Sequence, residues 1–346
     1  AFSAFSSIQP ALRGSISPAS SQCIRTLSKV QTIQPTPALC FEHPDNHHNH
    51  PKGLPPWRPG VRIPLLHPMS SAPDTVAIGP HRLGGERPLF ILGPCVIESA
   101  EFLHAVGPRV RAIADAAGVD FVFKASYDKA NRSSVNSYRG IGCEEGCRLL
   151  AEVGAAIGAP VTTDVHTAEE AVIAAEFIDV LQIPAFLCRQ TDLLEAAART
   201  GRVVNVKKGQ FLAPWDVKNI ADKLEAFGCR NYFITERGTT FGYNNLVADM
   251  RAIPWMQEAG VRVVFDATHS VQRPGGEGTS SGGDGRLAPV LARSAVAAGC
   301  DGVFMETHPD PANAPSDGPN QIPLDRLEPV LVQLRELYAL VRRPAL

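Results

Sequence analysis

Val119-Asp-Phe-Val-Phe-Lys-Ala-Ser-Tyr-Asp-Lys-Ala-Asn-Arg-Ser-Ser134 is the stretch whose reading decides the fold. Its first part, Val119 to Phe123, is a short and mainly apolar run of the kind that forms a buried strand. Its second part crowds Lys124, Lys129 and Arg132 together with Ser126, Asn131, Ser133 and Ser134. Cations so close to a strand end repel one another unless anions sit between them. The planar fork of arginine suits phosphate, lysine acts as a point charge, and hydroxyls and an amide satisfy the remaining oxygens. The competing reading is a solvated basic loop. What separates the two is whether other strands end in comparable groups.

Outward from this stretch the same pattern repeats. Apolar runs of strand length are expected at Leu89–Gly93, Phe121–Lys124, Val161–Asp164, Val180–Ile183, Val203–Lys207, Tyr232–Glu236, Val263–Asp266 and Gly302–Glu306. Helical stretches are expected between them at Ala100–Ala117, Cys143–Ile157, Ala168–Phe177, Thr191–Thr200, Pro214–Phe227, Leu246–Glu258 and Leu287–Ala298, with Leu324–Val341 as the last helix. Continuous rather than alternating apolar runs suit parallel strands covered on both faces. Eight such units predict an α/β chain folded as a (β/α)₈ TIM barrel over residues 69–346, and an open doubly wound sheet, which lacks a Gly-rich nucleotide turn here, is the alternative. A short N-terminal β-hairpin is expected ahead of the barrel, from Thr75–Ile78 and Pro88–Ile91 around the His81–Glu86 turn.

Residues 1–68 read differently. They hold eleven of the 29 prolines and six Lys/Arg against one Glu and one Asp, and they show no sustained periodicity. That composition buries too little apolar surface to fold alone, so a disordered extension is expected. It is either an organelle-targeting segment or a mis-assigned start ahead of Met69, and the second is the expectation. His43, His47, His48 and His50 fall in this tract and are set aside as metal ligands.

The remaining composition is bounding rather than specific. An apolar content of 44% across 346 residues is ample for a core, and a net charge of −2 gives no sign of nucleic acid. No apolar run approaches the roughly 20 residues that span a bilayer. The eight cysteines are scattered, which suits a reducing compartment; Cys143 and Cys147 are read as packing residues.

In barrels of this kind the active site lies at the C-terminal ends of the strands. Read in order, those ends give Cys95, Lys124, Asp164 with His166, Gln182, Lys207 with Lys208, Glu236 with Arg237, Asp266 with His269, and Glu306 with His308. Lys124, Lys129, Arg132, Lys207 and Arg237 would together meet substrates bearing more than one anionic group. Cys95, His269, Glu306 and Asp317 offer one soft and three harder ligands, a mix that suits a divalent transition metal. Their spacing leaves the plainer alternative open, a structural cysteine and a histidine bonded to backbone. The loops Ser270–Arg286 and His308–Pro323 are long and are expected to act as lids, with Gly275–Gly276 and Gly282–Gly283 as hinges.

These residues resemble a known family. Gly93-Pro94-Cys95, Lys124 to Ser134, Thr163-Asp-Val-His166, Gln182-Ile-Pro-Ala-Phe186, Asn205-Val-Lys-Lys208, Glu236-Arg-Gly238, Phe241-Gly-Tyr-Asn-Asn245, Asp266-Ala-Thr-His269 and Met305-Glu-Thr-His-Pro309 carry the likeness to 3-deoxy-D-manno-octulosonate 8-phosphate synthases. The likeness runs from about Leu89 to Leu337. It implies a cytoplasmic homotetrameric transferase that condenses phosphoenolpyruvate with D-arabinose 5-phosphate, releasing phosphate, on the way to the inner-core sugar of lipopolysaccharide. Neither nucleic acid nor membrane is implied as a partner. Carried over by motif, Lys129, Lys207 and Arg237 would hold phosphoenolpyruvate, with Gln182 nearby and Lys124 lining the pocket. Asn131, Arg132 and Ser133 would hold the pentose phosphate. Cys95, where metal-independent members have Asn, implies the metal-dependent class, with Cys95, His269, Glu306 and Asp317 holding zinc, ferrous iron or manganese and Asp266 beside them. Cys95, Lys129, Asp266 and His269 would be the catalytic set.

Three rivals remain at this point. The related 3-deoxy-D-arabino-heptulosonate 7-phosphate synthases act on erythrose 4-phosphate, but typically read Lys-Pro-Arg-Thr-Ser where this chain has Lys129-Ala-Asn-Arg-Ser133. A Schiff-base aldolase would use Lys124 or Lys207 as a neutral amine. A non-catalytic sugar-phosphate binder would leave most of the strand-end groups without a task.

Overall fold

The computed structural model describes residues 75–342 apart from 133 and 277–280. Every described residue belongs to the unit Pro64–Leu346. The N-terminal extension, its histidines, the expected boundary at residue 69 and Ser133 lie outside the described residues.

Eight parallel strands close on themselves: β1 (Leu89–Gly93), β2 (Asp120–Lys124), β3 (Val161–Asp164), β4 (Val180–Ile183), β5 (Val203–Lys207), β6 (Tyr232–Glu236), β7 (Val263–Asp266) and β8 (Gly302–His308). Each pairs with the next, and β8 closes the ring against both β7 and β1, with Gly302 opposite Leu89 and Glu306 opposite Gly93. The helices are α1 (Ala100–Ala117), α2 (Cys143–Ile157), α3 (Ala168–Ala174), α4 (Thr191–Arg199), α5 (Val217–Ala226), α6 (Ala252–Glu258), α7 (Ala288–Ala297) and α8 (Leu327–Val341). The expected barrel is therefore present, with each strand where the apolar runs placed it.

Alternation along the strands builds two cores. Leu89, Ile91, Val122, Val180, Val203, Phe233, Val264 and Phe304 point inward and fill the barrel. Phe90, Leu92, Phe121, Phe123, Leu181, Val204 and Val206 belong instead to the layer shared with the helices. At the N-terminal end a hairpin, Val76–Ile78 paired with His81–Leu83, adds Val76, Ile78 and Leu83 to the inner core. Asn231, just ahead of β6, fixes it by accepting from Ala77 N at 3.1 Å and donating to Ala77 O at 2.7 Å. The second hairpin strand is thus His81–Leu83 and not Pro88–Ile91, because Leu89–Ile91 is spent on the barrel wall.

Other departures follow from local chemistry. Leu246–Val247 does not begin α6 but pairs antiparallel with Thr239–Thr240 at the mouth of the barrel. The described parts of Ser270–Arg286 and His308–Pro323 contain short paired strands. Gln272–Arg273 pairs with Gly282–Gly283, so that the second expected hinge forms a ribbon strand. Ile322–Pro323 pairs with Thr307–His308 at the extended end of β8.

Gly93 is where the fold touches function. It sits at φ 150°, and a Cβ there would lie 2.0 Å from the Lys124 carbonyl oxygen. Only a residue without a side chain lets β1 and β2 close at this point. Gly93→Ala is expected to cost on the order of 3 kcal/mol or more, since backbone must move on a strained site. Equilibrium denaturation measures this, and a variant as stable as the parent would refute the close-approach argument.

Candidate active site

The C-terminal ends of the strands open into a cavity of about 570 Å³. Lys124, Lys129, Asn131, Arg132, Lys207, Arg237, His269, Glu306 and Asp317, all expected from sequence, line it together. Cys95 lies just behind, its thiol 3.3 Å from Asp317 Oδ2. Gln182 is placed differently. It is fully buried below the wall, where Nε2 donates to Asp164 at 2.6 Å and Oε1 accepts from Asn205 at 2.8 Å. Lys208 turns away from the cavity, its ammonium held by the Gly209 and Leu212 carbonyls and by Glu236.

Charges here are interleaved rather than segregated. Lys124, ending β2, meets Glu306 Oε1 of β8 at 2.6 Å and donates to the Cys95 carbonyl at 2.8 Å, with both side chains fully buried. Lys207, ending β5, meets Asp266 Oδ2 of β7 at 2.7 Å and lies 3.9 Å above the Phe304 ring. Each lysine therefore sits on a carboxylate, the opposite of the cationic neighbourhood that a neutral Schiff-base amine needs.

Asp266 organises the next corner. One oxygen accepts from His269 N at 2.9 Å and from the Thr268 hydroxyl at 3.1 Å. The other faces Lys207 and lies 2.8 Å from His269 Nδ1, a close contact off the line of a hydrogen bond. This leaves His269 Nε2 towards the carboxylates, 3.7 Å from Glu306 and 4.0 Å from Asp317. Cys95, Glu306 and Asp317 each offer a ligand atom within 4.8 Å of the others, a cluster that could hold a metal ion. The donor types fit one: a thiol and two carboxylates, with the His269 imidazole beside them and its far nitrogen against Asp266. Asp317 takes a left-handed conformation, φ 49°, to reach in, a strain that a site residue can carry.

The electrostatics follow from burial against neighbours. At Asp164, Asp266 and Glu306 burial would raise the carboxyl. Lys129 and Lys124 at Asp164, His269 and Lys207 at Asp266, and Lys124 and His269 at Glu306 outweigh it and hold all three well below the carboxylate range. The Cys95 thiol is pushed up to about 12 by burial and by Glu306, despite Lys129 nearby. Lys129 would be lowered by burial, but Cys95, Glu306, Asp164 and Asp317 raise it, so its ammonium is firmly charged.

Two guanidinium nitrogens stand apart. Arg132 Nη2 and Arg237 Nη1 are buried without a hydrogen-bond partner, although both side chains line the cavity. Their other atoms are anchored: Arg132 Nε donates to Tyr138 O at 3.2 Å, and Arg237 Nη2 to Gln272 at 3.0 Å. Tyr138 in turn donates its hydroxyl to the Ile97 and Glu98 carbonyls, strapping the Arg132 loop to the segment after Cys95.

Sequence reasoning gave no role to two neighbours, Ser316 and Gln272, and gave a third, Ser126, a phosphate contact, whereas its hydroxyl is spent within the protein. Ser316 Oγ lies 2.9 Å from Cys95 Sγ, and its place beside Asp317 was the available signal. Gln272 bridges Arg237 and Asp317, on which it donates at 2.9 Å, and a lone Gln in a Gly-rich loop gave no signal. Ser126, in the basic stretch, donates to Asp164 and accepts from Lys129 Nζ at 3.0 Å.

Residues 71–343 match the DAHP synthetase I family. A "2-dehydro-3-deoxyphosphooctonate aldolase" of Geobacter sp. (strain M21) is 54% identical over 269 residues, covering 78% of this chain and 98% of the relative. Proteins of the same name from Bartonella henselae, 50% identical over 276 residues, and Rhodopseudomonas palustris, 55% over 270, cover 99% and 94% of their own lengths and 80% and 78% of this chain.

Lys124→Met tests the interleaving. It strands the buried Glu306 carboxylate, and breaking such a pair costs about 3–5 kcal/mol at pH 7. In the parent, Glu306 is held low, so its stabilisation is present above the unfolded carboxylate range of about 4 and is lost as pH falls below it. Without Lys124 the carboxyl protonates at higher pH, and the stability gap between variant and parent should narrow on acidification. Denaturant titrations at stepped pH read this out, and a gap that widens towards acid contradicts the pairing.

Proposed function

The chain belongs to the DAHP synthetase I family, among its 2-dehydro-3-deoxyphosphooctonate aldolases, and from that premise we propose how the residues at the barrel mouth divide its work. The reaction is the condensation of phosphoenolpyruvate, D-arabinose 5-phosphate and water to 3-deoxy-D-manno-octulosonate 8-phosphate and inorganic phosphate, a transferase step in lipopolysaccharide biosynthesis. The names of the relatives favour it over the erythrose 4-phosphate alternative.

The observation that carries the division is the pair of unpartnered guanidinium nitrogens in the wall of one cavity. Buried N–H groups of a charged side chain are costly to leave empty, and a phosphate or carboxylate oxygen supplies what they lack. Arg132 follows β2 and Arg237 follows β6, four strands apart in a ring of eight, so the two anion positions face each other across the mouth. Arg237, Lys207 and Lys129 hold the phosphate and carboxylate of phosphoenolpyruvate, with Lys124 in the same wall. Asn131 and Arg132 hold the pentose phosphate, and Ser133 completes that set by motif. A cavity of about 570 Å³ accommodates two small ligands side by side.

The chemistry asks the protein mainly for charge and alignment. The enol carbon of phosphoenolpyruvate attacks the sugar aldehyde, forming the new C–C bond and leaving positive charge on the adjacent carbon. Water adds to that carbon, and the adduct expels inorganic phosphate. The cations offset the repulsion between two polyanions and hold them in line for attack. The carboxylates under Lys124 and Lys207 hold the lysines in place. Cys95, His269, Glu306 and Asp317 hold a divalent ion, zinc, ferrous iron or manganese, with Asp266 bracing His269. When bound, such an ion supplies Lewis-acid polarisation of a substrate or water oxygen.

The working form is a homotetramer in the cytoplasm. Association is supported by Phe186, Phe211, Trp215, Phe241 and Tyr243, which are 56–99% exposed on neighbouring loops after β4, β5 and β6. No described helix is long and apolar enough to cross a membrane, and the six described cysteines are free, as a reducing compartment requires.

Phosphate release from phosphoenolpyruvate should require arabinose 5-phosphate, with erythrose 4-phosphate a poor replacement; the reverse preference would overturn the substrate assignment. Chelation should abolish turnover and added divalent ions restore it, whereas full activity of metal-stripped protein removes the role given to Cys95. Arg237→Ala should raise KM for phosphoenolpyruvate and Arg132→Ala KM for the pentose phosphate, each by about tenfold or more for a lost charged hydrogen bond. If each variant weakened both substrates equally, the two-position reading would fail.

A further inference from the structure

Four strands in succession, and the segment just past a fifth, contribute one polar side chain each to a directed run of buried hydrogen bonds. Thr235 Oγ1 of β6 donates to Asn205 Oδ1 of β5 at 2.7 Å, and Asn205 Nδ2 donates to Gln182 Oε1 of β4 at 2.8 Å. Gln182 Nε2 donates to Asp164 Oδ1 of β3 at 2.6 Å. From the other side Ser126, just past β2, donates to Asp164 Oδ2 and accepts from Lys129 Nζ at 3.0 Å. Thr235, Asn205, Gln182 and Ser126 are completely buried, and Asp164 alone reaches the cavity wall.

All donors point towards Asp164. Its charge fixes the direction, because a reversed Gln182 amide would set Oε1 against a carboxylate. Thr235 closes the far end, where Asn205 Oδ1 would otherwise be a buried acceptor without a donor. The cations facing Asp164 are Lys129, Lys124 and Lys207, and the last two already rest on Glu306 and Asp266. Lys129 is therefore the one that an unsatisfied Asp164 would draw onto itself.

We propose that Asp164, Gln182, Asn205 and Thr235 are positioning residues for Lys129. By saturating Asp164, the belt makes it hold Lys129 through the Ser126 hydroxyl and not by a direct ion pair. The remaining ammonium protons stay turned to the substrate anion. Gln182 acts through this belt rather than by touching substrate. The inference rests on the reading that Lys129 binds phosphoenolpyruvate, and it deepens that reading by extending the phosphoenolpyruvate site to a hydroxyl on the far side of the barrel.

Thr235→Val removes one hydroxyl at nearly constant volume. In the metal-loaded enzyme it should raise KM for phosphoenolpyruvate by about tenfold, the equivalent of one lost buried hydrogen bond, with kcat and KM for arabinose 5-phosphate changed much less. Thr235→Ser should restore the parent values, and Gln182→Leu should reproduce the defect in stronger form. The belt is overturned if Thr235→Val is unchanged while Gln182→Leu alone loses affinity, for then Gln182 meets substrate itself. It is equally overturned if Thr235→Ser is as defective as Thr235→Val, which assigns the loss to packing. Side-chain amide exchange of Gln182 and Asn205, followed by NMR in the unliganded protein, tests the belt without turnover. Exchange should be slow in the parent and faster in Thr235→Val, and equal rates would sink the proposal. Failure of the parent to turn over these substrates would instead fault the reading beneath it.

Discussion

The ion pair between Lys124 and Glu306 is the interaction on which the rest of the site depends. It joins β2 to β8 across the end of β1, and it forms because β1 ends in a glycine that lets the Lys124 backbone pass. The lysine spends its remaining capacity on the Cys95 and Pro94 carbonyls, which fixes the turn presenting the thiol. Glu306 in turn faces His269, whose ring Asp266 holds and whose other nitrogen looks towards Asp317. One buried pair thus ties together two of the four candidate metal ligands, Cys95 and Glu306. Two charges in so dry a place are tolerable only because each has several partners.

Interleaving is the general rule at this mouth. Where a carboxylate is at hand, a lysine is held on it, as at Glu306 and Asp266, or through a hydroxyl, as Lys129 is on Ser126 above Asp164. Arg132 and Arg237 are the exceptions, each with one buried nitrogen left over. That contrast sorts the cations by task. The internally neutralised ones preserve a charged but stable floor, and the unsatisfied ones present hydrogen-bond capacity to anions that arrive from solution. Arginine suits the second task because its fork can be anchored at one nitrogen and remain open at another.

Much of the site was legible in the sequence because a barrel converts strand ends into neighbours. Once eight apolar runs are accepted as parallel strands, the residues after them must share one face, however far apart they are in the chain. Lys124, Lys207, Arg237, His269 and Glu306 could therefore be grouped without coordinates. What could not be read was direction. Lys207 and Lys208 are adjacent and chemically alike, yet one faces the cavity and the other turns to Glu236 and the Gly209 and Leu212 carbonyls. Gln182 lies one residue before the end of its strand, and its amide is consumed between Asp164 and Asn205. Loop contributors such as Gln272 and Ser316 have no strand to assign them a face.

The sequence by itself determined the eight-unit barrel, the inventory of groups at its mouth and the family likeness, because those follow from local periodicity and from residue types in order. The pairing of charges was decided only by the tertiary structure. Which lysine meets which carboxylate, which amide is buried and which arginine nitrogen is left open depend on side-chain reach across strands, at a scale of a few ångströms. Periodicity fixes the face on which a side chain emerges; packing decides what it touches.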